Sequence, residues 1–134
     1  MIRDPLSGDR DTFLTMARDF YASGATAHPV DPKNFAATFA AAMEGSPFVR
    51  LLMIEDEEKP IGYALLSFTY SNEMGGMVVW IEELYITQTH RSKSYGRKVF
   101  QFVEQAYPSA RRFRLEVRSD NERAVALYAR LGYK

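Results

Sequence analysis

The chain has 134 residues, enough for one compact core and too few for two independent domains of ordinary size, so a single domain spanning residues 1–134 is expected. At 46% hydrophobic and 25% charged residues, it excludes the disordered, collagen-like and disulfide-rich classes. Seventeen basic and seventeen acidic residues cancel, which argues against a protein built mainly to coat nucleic acid or an anionic membrane, and the lack of cysteine rules out thiolate metal sites and cysteine nucleophiles.

In chain order, a short strand is expected around Ile2, and Phe13, Met16, Ala17, Phe20 and Tyr21 then recur with helical spacing. His28-Pro29 breaks that pattern. Asp31-Pro32 offers a new helix start, with Asp31 accepting from free amides, and Phe35, Phe39 and Met43 follow at four-residue steps until Gly45 to Pro47 stop the helix. Runs rich in Val, Ile, Leu, Phe and Tyr predict strands at 48–54, 60–70 and 77–87, joined by the acidic residues 55–58 and by Asn72 to Gly76. Short polar connections of this kind make an antiparallel meander. The acidic run itself reads as a solvated turn.

From Tyr95 the helical period returns through Val99, Phe102, Val103 and Ala106 to Pro108, and Phe113, Leu115 and Val117 alternate as a strand. Ser119-Asp120-Asn121-Glu122 reads as a capping box before a last helix through Leu131, with Gly132 as its stop. The order βααβββαβα predicts an α/β (α+β) domain: a mixed, mostly antiparallel central sheet with helices on both faces and a parallel crossover from 77 to 118.

The stretch W-I-E-E-L-Y-I-T-Q-T-H-R-S-K-S-Y-G-R-K, residues 80–98, carries most of the chemistry. A helix start presents unpaired amides and the positive end of a dipole, and Arg91, Lys93, Arg97 and Lys98 add charge, so this loop suits phosphate oxygens. Glu82 and Glu83 interrupt an apolar strand, which is costly unless they are paired or reach a cleft, and strand alternation predicts that they face opposite ways. Either could be a general base or a plain salt-bridge partner. Tyr128, between Ala124 and Leu131 on an amphipathic helix, reads first as a core residue, and its hydroxyl needs a partner if buried.

Residues 82–98 and 115–133 resemble the two signature blocks of the GNAT superfamily of N-acetyltransferases. In the first, R-S-K-S-Y-G from Arg91 to Gly96 is similar to the family's cofactor loop and departs from it at Ser94, where glycine is usual. If that position needs a positive φ, serine there costs about 1 kcal/mol while keeping its amide. In the second, Asn121, Ala124, Tyr128, Leu131, Gly132 and Tyr133 stand in the family's register.

The resemblance implies acetyl-CoA as co-substrate, with no metal, and acetyl transfer to a primary amine of a small molecule or peptide by direct attack in a ternary complex. It implies that the backbone of Leu84, Tyr85 and Ile86 pairs with the pantetheine arm. The amides of Arg91, Ser92, Lys93, Ser94, Tyr95, Gly96 and Arg97 would hold the pyrophosphate, flanked by Asn121 and Ala124. Tyr128 matches the family's general acid, and Glu82 occupies the place of the acidic base in polyamine acetyltransferases. Tyr21, His28, Tyr70 and Glu73 are candidates to line the acceptor pocket, and His90 lies beside the phosphate loop.

The family usually continues past the Leu-Gly-Tyr block with one or two strands, so an absent terminal strand, or a homodimer in which a neighbour fills the edge, is a further expectation. The alternatives are a non-catalytic acetyl-CoA-binding module and an unrelated domain that holds RNA phosphates with Tyr95 and Phe100 as stacking rings. No leader-like segment opens the chain and its strongest apolar run, Met77 to Ile81, is too short to span a bilayer, so the expected location is cytoplasmic, with neither membrane nor nucleic acid as partner.

Overall fold

The computed structural model describes residues 1–22, 30–91 and 93–115. Its elements are β1 (Ile2–Arg3), α1 (Arg10–Ala22), α2 (Lys33–Met43), β2 (Val49–Asp56), β3 (Lys59–Ser71), β4 (Gly76–Ile86), α3 (Tyr95–Ala106) and β5 (Arg112–Leu115), with short 3₁₀ turns at Ser7–Asp9 and Gln88–His90. The five strands form one sheet in the order β1-β2-β3-β4-β5. All neighbours are antiparallel except β4 and β5, which run parallel. The meander and the parallel crossover read from the sequence are both present. The predicted helix over residues 124–131 lies outside the described residues.

Each joint has a local cause. Lys33 donates its amide to Asp31 Oδ1 at 3.0 Å, so the aspartate before α2 does accept from a free helical amide. Between β2 and β3, Glu57 and Glu58 both have positive φ (50° and 65°), the backbone that a two-residue primed hairpin turn requires. Near the N-terminus, Arg3 forks onto Asp9 (2.7 and 3.0 Å) and also donates to Glu55, tying β1 to both the start of α1 and the end of β2.

Strand alternation divides the core in two. On one face Leu51, Met53, Tyr63, Leu65 and Tyr85 pack against Phe13, Met16 and Ala17 of α1 and Phe35 and Phe39 of α2. On the other, Leu52, Ile54, Ile61, Ala64, Leu66, Val79 and Ile81 pack against Val99, Phe100 and Val103 of α3. Helices therefore cover both faces, as expected. Phe100, a stacking candidate under the RNA reading, is 2% exposed and belongs to this second core, so its ring is not at the surface.

The alternation breaks once in β4. Leu65 pairs with Glu83 but Leu66 pairs with Ile81, so Glu82 is an extra residue in the ladder, a β-bulge. Among the described residues the pairing of β4 with β5 runs as far as Ile81 and Leu115, the last described residue of β5. Beyond the bulge β3 holds β4 closely: a Cβ added to Gly62 would lie 2.2 Å from the Tyr85 carbonyl oxygen, so any side chain there would push the two strands apart.

Phe13 is 1% exposed and its ring meets those of Phe39 and Tyr63 at 5.8 and 4.9 Å. Phe13→Ala leaves a cavity at this three-ring junction, and we expect a loss of about 3–5 kcal/mol in urea unfolding. A loss below about 1 kcal/mol would mean that α1 is not anchored there.

Candidate active site

The bulge changes where the two glutamates go. Because Glu82 is extra, Ile81 and Leu84 both pack on the α3 side of the sheet, while Glu82 and Glu83 both reach hydroxyls on the other face. Ser67 donates to Glu82 Oε1 at 2.7 Å and Tyr63 donates to Glu83 Oε1 at 2.7 Å, and Tyr63, Leu65 and Ser67 alternate onto the same side of β3. The expectation that the glutamates face opposite ways is therefore corrected. It assumed an unbroken strand, and the inserted residue shifts the phase.

Their surroundings differ. Glu82 is exposed. Glu83 is half-buried and receives two phenols, Tyr63 on Oε1 and Tyr21 on Oε2. Tyr21 comes from the last turn of α1 and stacks on Phe35 of α2 at 5.1 Å, so Glu83 ties both helices to β4 next to the bulge. Burial raises the pKa of Glu83. The bonds from Tyr21 and then Tyr63 pull it back, and the charge of Glu82 adds to the rise. Burial also raises the pKa of Tyr21 and Tyr63, which keeps both phenols protonated as donors.

Two residues further along, Tyr85 donates to Asp19 of α1, and its pKa is pushed up to about 12 by burial and this bond. Tyr85 and Thr87 face Asp11, Thr12, Thr15, Met16 and Asp19 across an open cleft of about 540 Å³. The sequence reading missed Glu83's network and Asp19. An apolar strand that carries an acid opposite tyrosine-bearing segments was the available signal, because a half-buried carboxylate must find donors.

The edge of β4 beyond Ile81, which carries Leu84, Tyr85 and Ile86, pairs with no other described strand on its β5 side. It leads through the turn at Gln88–His90 to the start of α3. There Ser94 sits in the left-handed region (φ 70°, ψ 16°), and its side chain does not cap the helix. A positive φ is where glycine costs least, so the place where the sequence departs from the family loop is one of real backbone strain. The first-turn amides of Tyr95, Gly96 and Arg97 have no acceptor within the helix.

Lys93, Arg97 and Lys98 are exposed, with the Lys98 ammonium 5.1 Å from the centre of the Tyr95 ring. Arg91 turns back instead: its Nε donates to the Ile86 carbonyl at 2.8 Å, its guanidinium lies 5.9 Å from the Tyr85 ring, and its amide reaches Gln88 O at 3.4 Å. His90 meets Asp56 at 3.3 Å. Tyr70 and Glu73 are exposed around the β3–β4 connection, away from this cluster in the chain. Ser92, Asn121, Ala124, Tyr128 and His28 lie outside the described residues.

A strand edge with no β5-side partner among the described residues, running into an uncapped, cation-rich helix start, fits an extended, phosphate-bearing thioester such as acetyl-CoA. The edge can pair with amides of the ligand's arm and the helix start can hold its phosphates.

Residues 12–133 match the model of the acetyltransferase (GNAT) family. The chain belongs to that family. It is an N-acetyltransferase with acetyl-CoA as donor, and GNAT relatives bind CoA as co-substrate. Mouse thialysine N-ε-acetyltransferase is 28% identical over 141 residues, a match covering 98% of this chain and 82% of the mouse protein. Two solved structures share the fold. A possible acetyltransferase from Clostridium difficile 630 superposes with a TM-score of 0.83 at 18% identity, covering 100% of this chain and 90% of that one. The aminoglycoside N-acetyltransferase AAC(6')-Iy in complex with CoA gives 0.80 at 14%, covering 100% and 87%. Among the described residues of this GNAT domain, no helix is long and apolar enough to cross a membrane.

Two outcomes follow for the GNAT site. Ser94→Gly relieves the left-handed backbone, and we expect thermal unfolding to show a gain of up to about 1 kcal/mol; an equal or larger loss would mean that the hydroxyl supports the loop. For Glu83 the folded pKa lies above the unfolded value of 4.5, so the folded state holds the proton more tightly and the glutamate's contribution to stability falls as pH rises past that value. Glu83→Gln lacks this dependence. Its melting temperature relative to wild type should therefore climb from acidic to neutral pH, and a flat difference would contradict the raised pKa.

Proposed function

We propose that this acetyltransferase acts on a primary amine of a small molecule or peptide, by direct attack in a ternary complex. The observation that carries the reading is the bulge at Glu82, which puts an exposed carboxylate on the sheet face next to Leu84, Tyr85 and Ile86, a stretch of β4 with no β5 partner among the described residues. Acetyl-CoA, when bound, supplies an activated thioester. Leu84, Tyr85 and Ile86 pair with its arm through the strand edge, and the amides from Ser92 to Arg97, with Asn121 and Ala124 beside them, hold its phosphates. Lys93 and Arg97 add charge at the helix start. Arg91 is engaged with Ile86 and contributes by fixing the strand end.

Glu82 takes a proton from the incoming ammonium, directly or through one water. The neutral nitrogen forms a bond to the acetyl carbon, the carbon–sulfur bond breaks, and Tyr128 gives its proton to the departing thiolate. An unperturbed thiol and phenol titrate at about 8.5 and 10, so that last transfer needs positioning more than a large pKa change. Ser67 keeps Glu82 aimed along the sheet face through the 2.7 Å hydrogen bond it donates. Two of the three similar proteins, the thialysine and the aminoglycoside acetyltransferase, support an acceptor that is a small amine.

The test is steady-state kinetics of CoA release with an added amine. Tyr128→Phe should lower kcat by about a hundredfold with acetyl-CoA affinity retained. Glu82→Gln should lose rate mainly at lower pH, with the gap closing as the free amine becomes abundant. Wild-type rates in either variant would remove that residue from the reaction.

A further inference from the structure

Past Glu82, the same sheet face carries a second, oppositely charged feature that the transfer reaction does not use. Arg112 and Arg114 of β5 alternate with Phe113 and Leu115. The latter two pack on the α3 side, which leaves both arginines on the face that carries Ser67 and Glu82. Arg114 pairs across the parallel ladder with Trp80, which precedes Glu82 by two residues on β4. Its guanidinium lies 4.6 Å from the centre of the Trp80 ring. The indole is fixed in turn, because its Nε1 donates to Thr69 Oγ1 at 3.0 Å.

Stacking of this kind holds the plane of a guanidinium and leaves its N–H fork free at the edge, the geometry that takes a carboxylate with two parallel hydrogen bonds. Among the described residues neither Arg112 nor Arg114 has an ion-pair or hydrogen-bond partner. Two residues of strand separate Trp80 from Glu82, about 7 Å. The face therefore offers an acid for an ammonium and, a few atoms' length away, an oriented cation for an anion.

We infer that the acceptor is an amine carrying a carboxylate on the same molecule, with Glu82 receiving its ammonium end and Arg114, held by Trp80, binding its carboxylate. Arg114 is a specificity-determining residue that takes no part in proton transfer, and Trp80 positions it. The inference rests on the assignment of the reacting amine to Glu82. It adds a requirement which that assignment does not contain, namely an anion on the acceptor.

Equilibrium titration of the full chain in the presence of CoA, with lysine and with cadaverine as probes, tests this without turnover, because cadaverine has the same terminal amine and lacks the carboxylate. Lysine should bind about tenfold more tightly, the effect of one charge-assisted contact. Arg114→Gln should abolish that difference and leave cadaverine affinity unchanged, while Arg114→Lys, which keeps the charge and loses the planar fork, should restore only part of it. Equal affinities in the wild type, no lysine binding, or equal losses for both probes in Arg114→Gln would overturn the inference. Failure of the base assignment reads out separately: Glu82→Gln would keep the wild-type pH–rate profile while the lysine–cadaverine difference in binding stood.

Discussion

One inserted residue organises this molecule. A regular β4 would pair with β5 along its length and send neighbouring side chains to opposite faces. The bulge at Glu82 directly follows Ile81, the last residue of β4 that pairs with β5 among the described residues, and it puts two consecutive carboxylates on one face. Both serve the reaction we propose: strand backbone at Leu84 to Ile86 for a ligand to pair with, and an acid exposed beside it. The displacement is stable because both sides of it are anchored, by Val79 and Ile81 in the α3 core before the bulge and by Leu84 and Ile86 against the same core after it.

The second carboxylate shows how this face of the sheet is made rigid. Glu83 has no cation partner among the described residues, and its charge is carried by two phenols that burial keeps protonated. One phenol belongs to β3 and the other to α1, and the latter stacks on α2. A helix pair that could otherwise slide on an apolar sheet is thereby pinned at a polar point, where misplacement would leave a half-buried carboxylate without donors.

Most of the architecture was readable in the chain, for physical reasons. The continuous apolar runs Leu51 to Ile54 and Ile61 to Leu66 reflect strands buried on both faces, and the helical spacing in Phe13 to Tyr21 and Val99 to Val103 reflects burial on one face, so burial is what made those patterns. In the loop from Arg91 to Gly96, the positive φ that would make Ser94 a strained position is present. The bulge was not legible, because W-I-E-E-L-Y reads the same with or without an extra residue and only the partner strand reveals the shift. The direction of Arg91 was hidden for a like reason. Its charge suggested phosphate, whereas the nearest acceptor in the fold is the carbonyl of Ile86. The charge pattern across Trp80 and Arg114 also needed the β4–β5 register, since the two residues lie far apart in the chain and adjacent in the sheet.

The meander and the parallel strand are joined in very different ways, and this bears on how the domain assembles. From β2 to β4 each strand meets the next through a tight turn, Glu57-Glu58 in one case and the short stretch ending in Gly75 in the other, so little chain entropy is lost in closing them. β5 reaches β4 only after the whole segment through α3 has been placed. On a ribosome, the helix-covered half that carries Glu83 and its phenols can therefore be complete while the half that would hold the donor is still being made. The face that carries both Glu82 and Arg114 exists as a unit only when β5 arrives, so under the function we propose a nascent domain can be compact well before it can react.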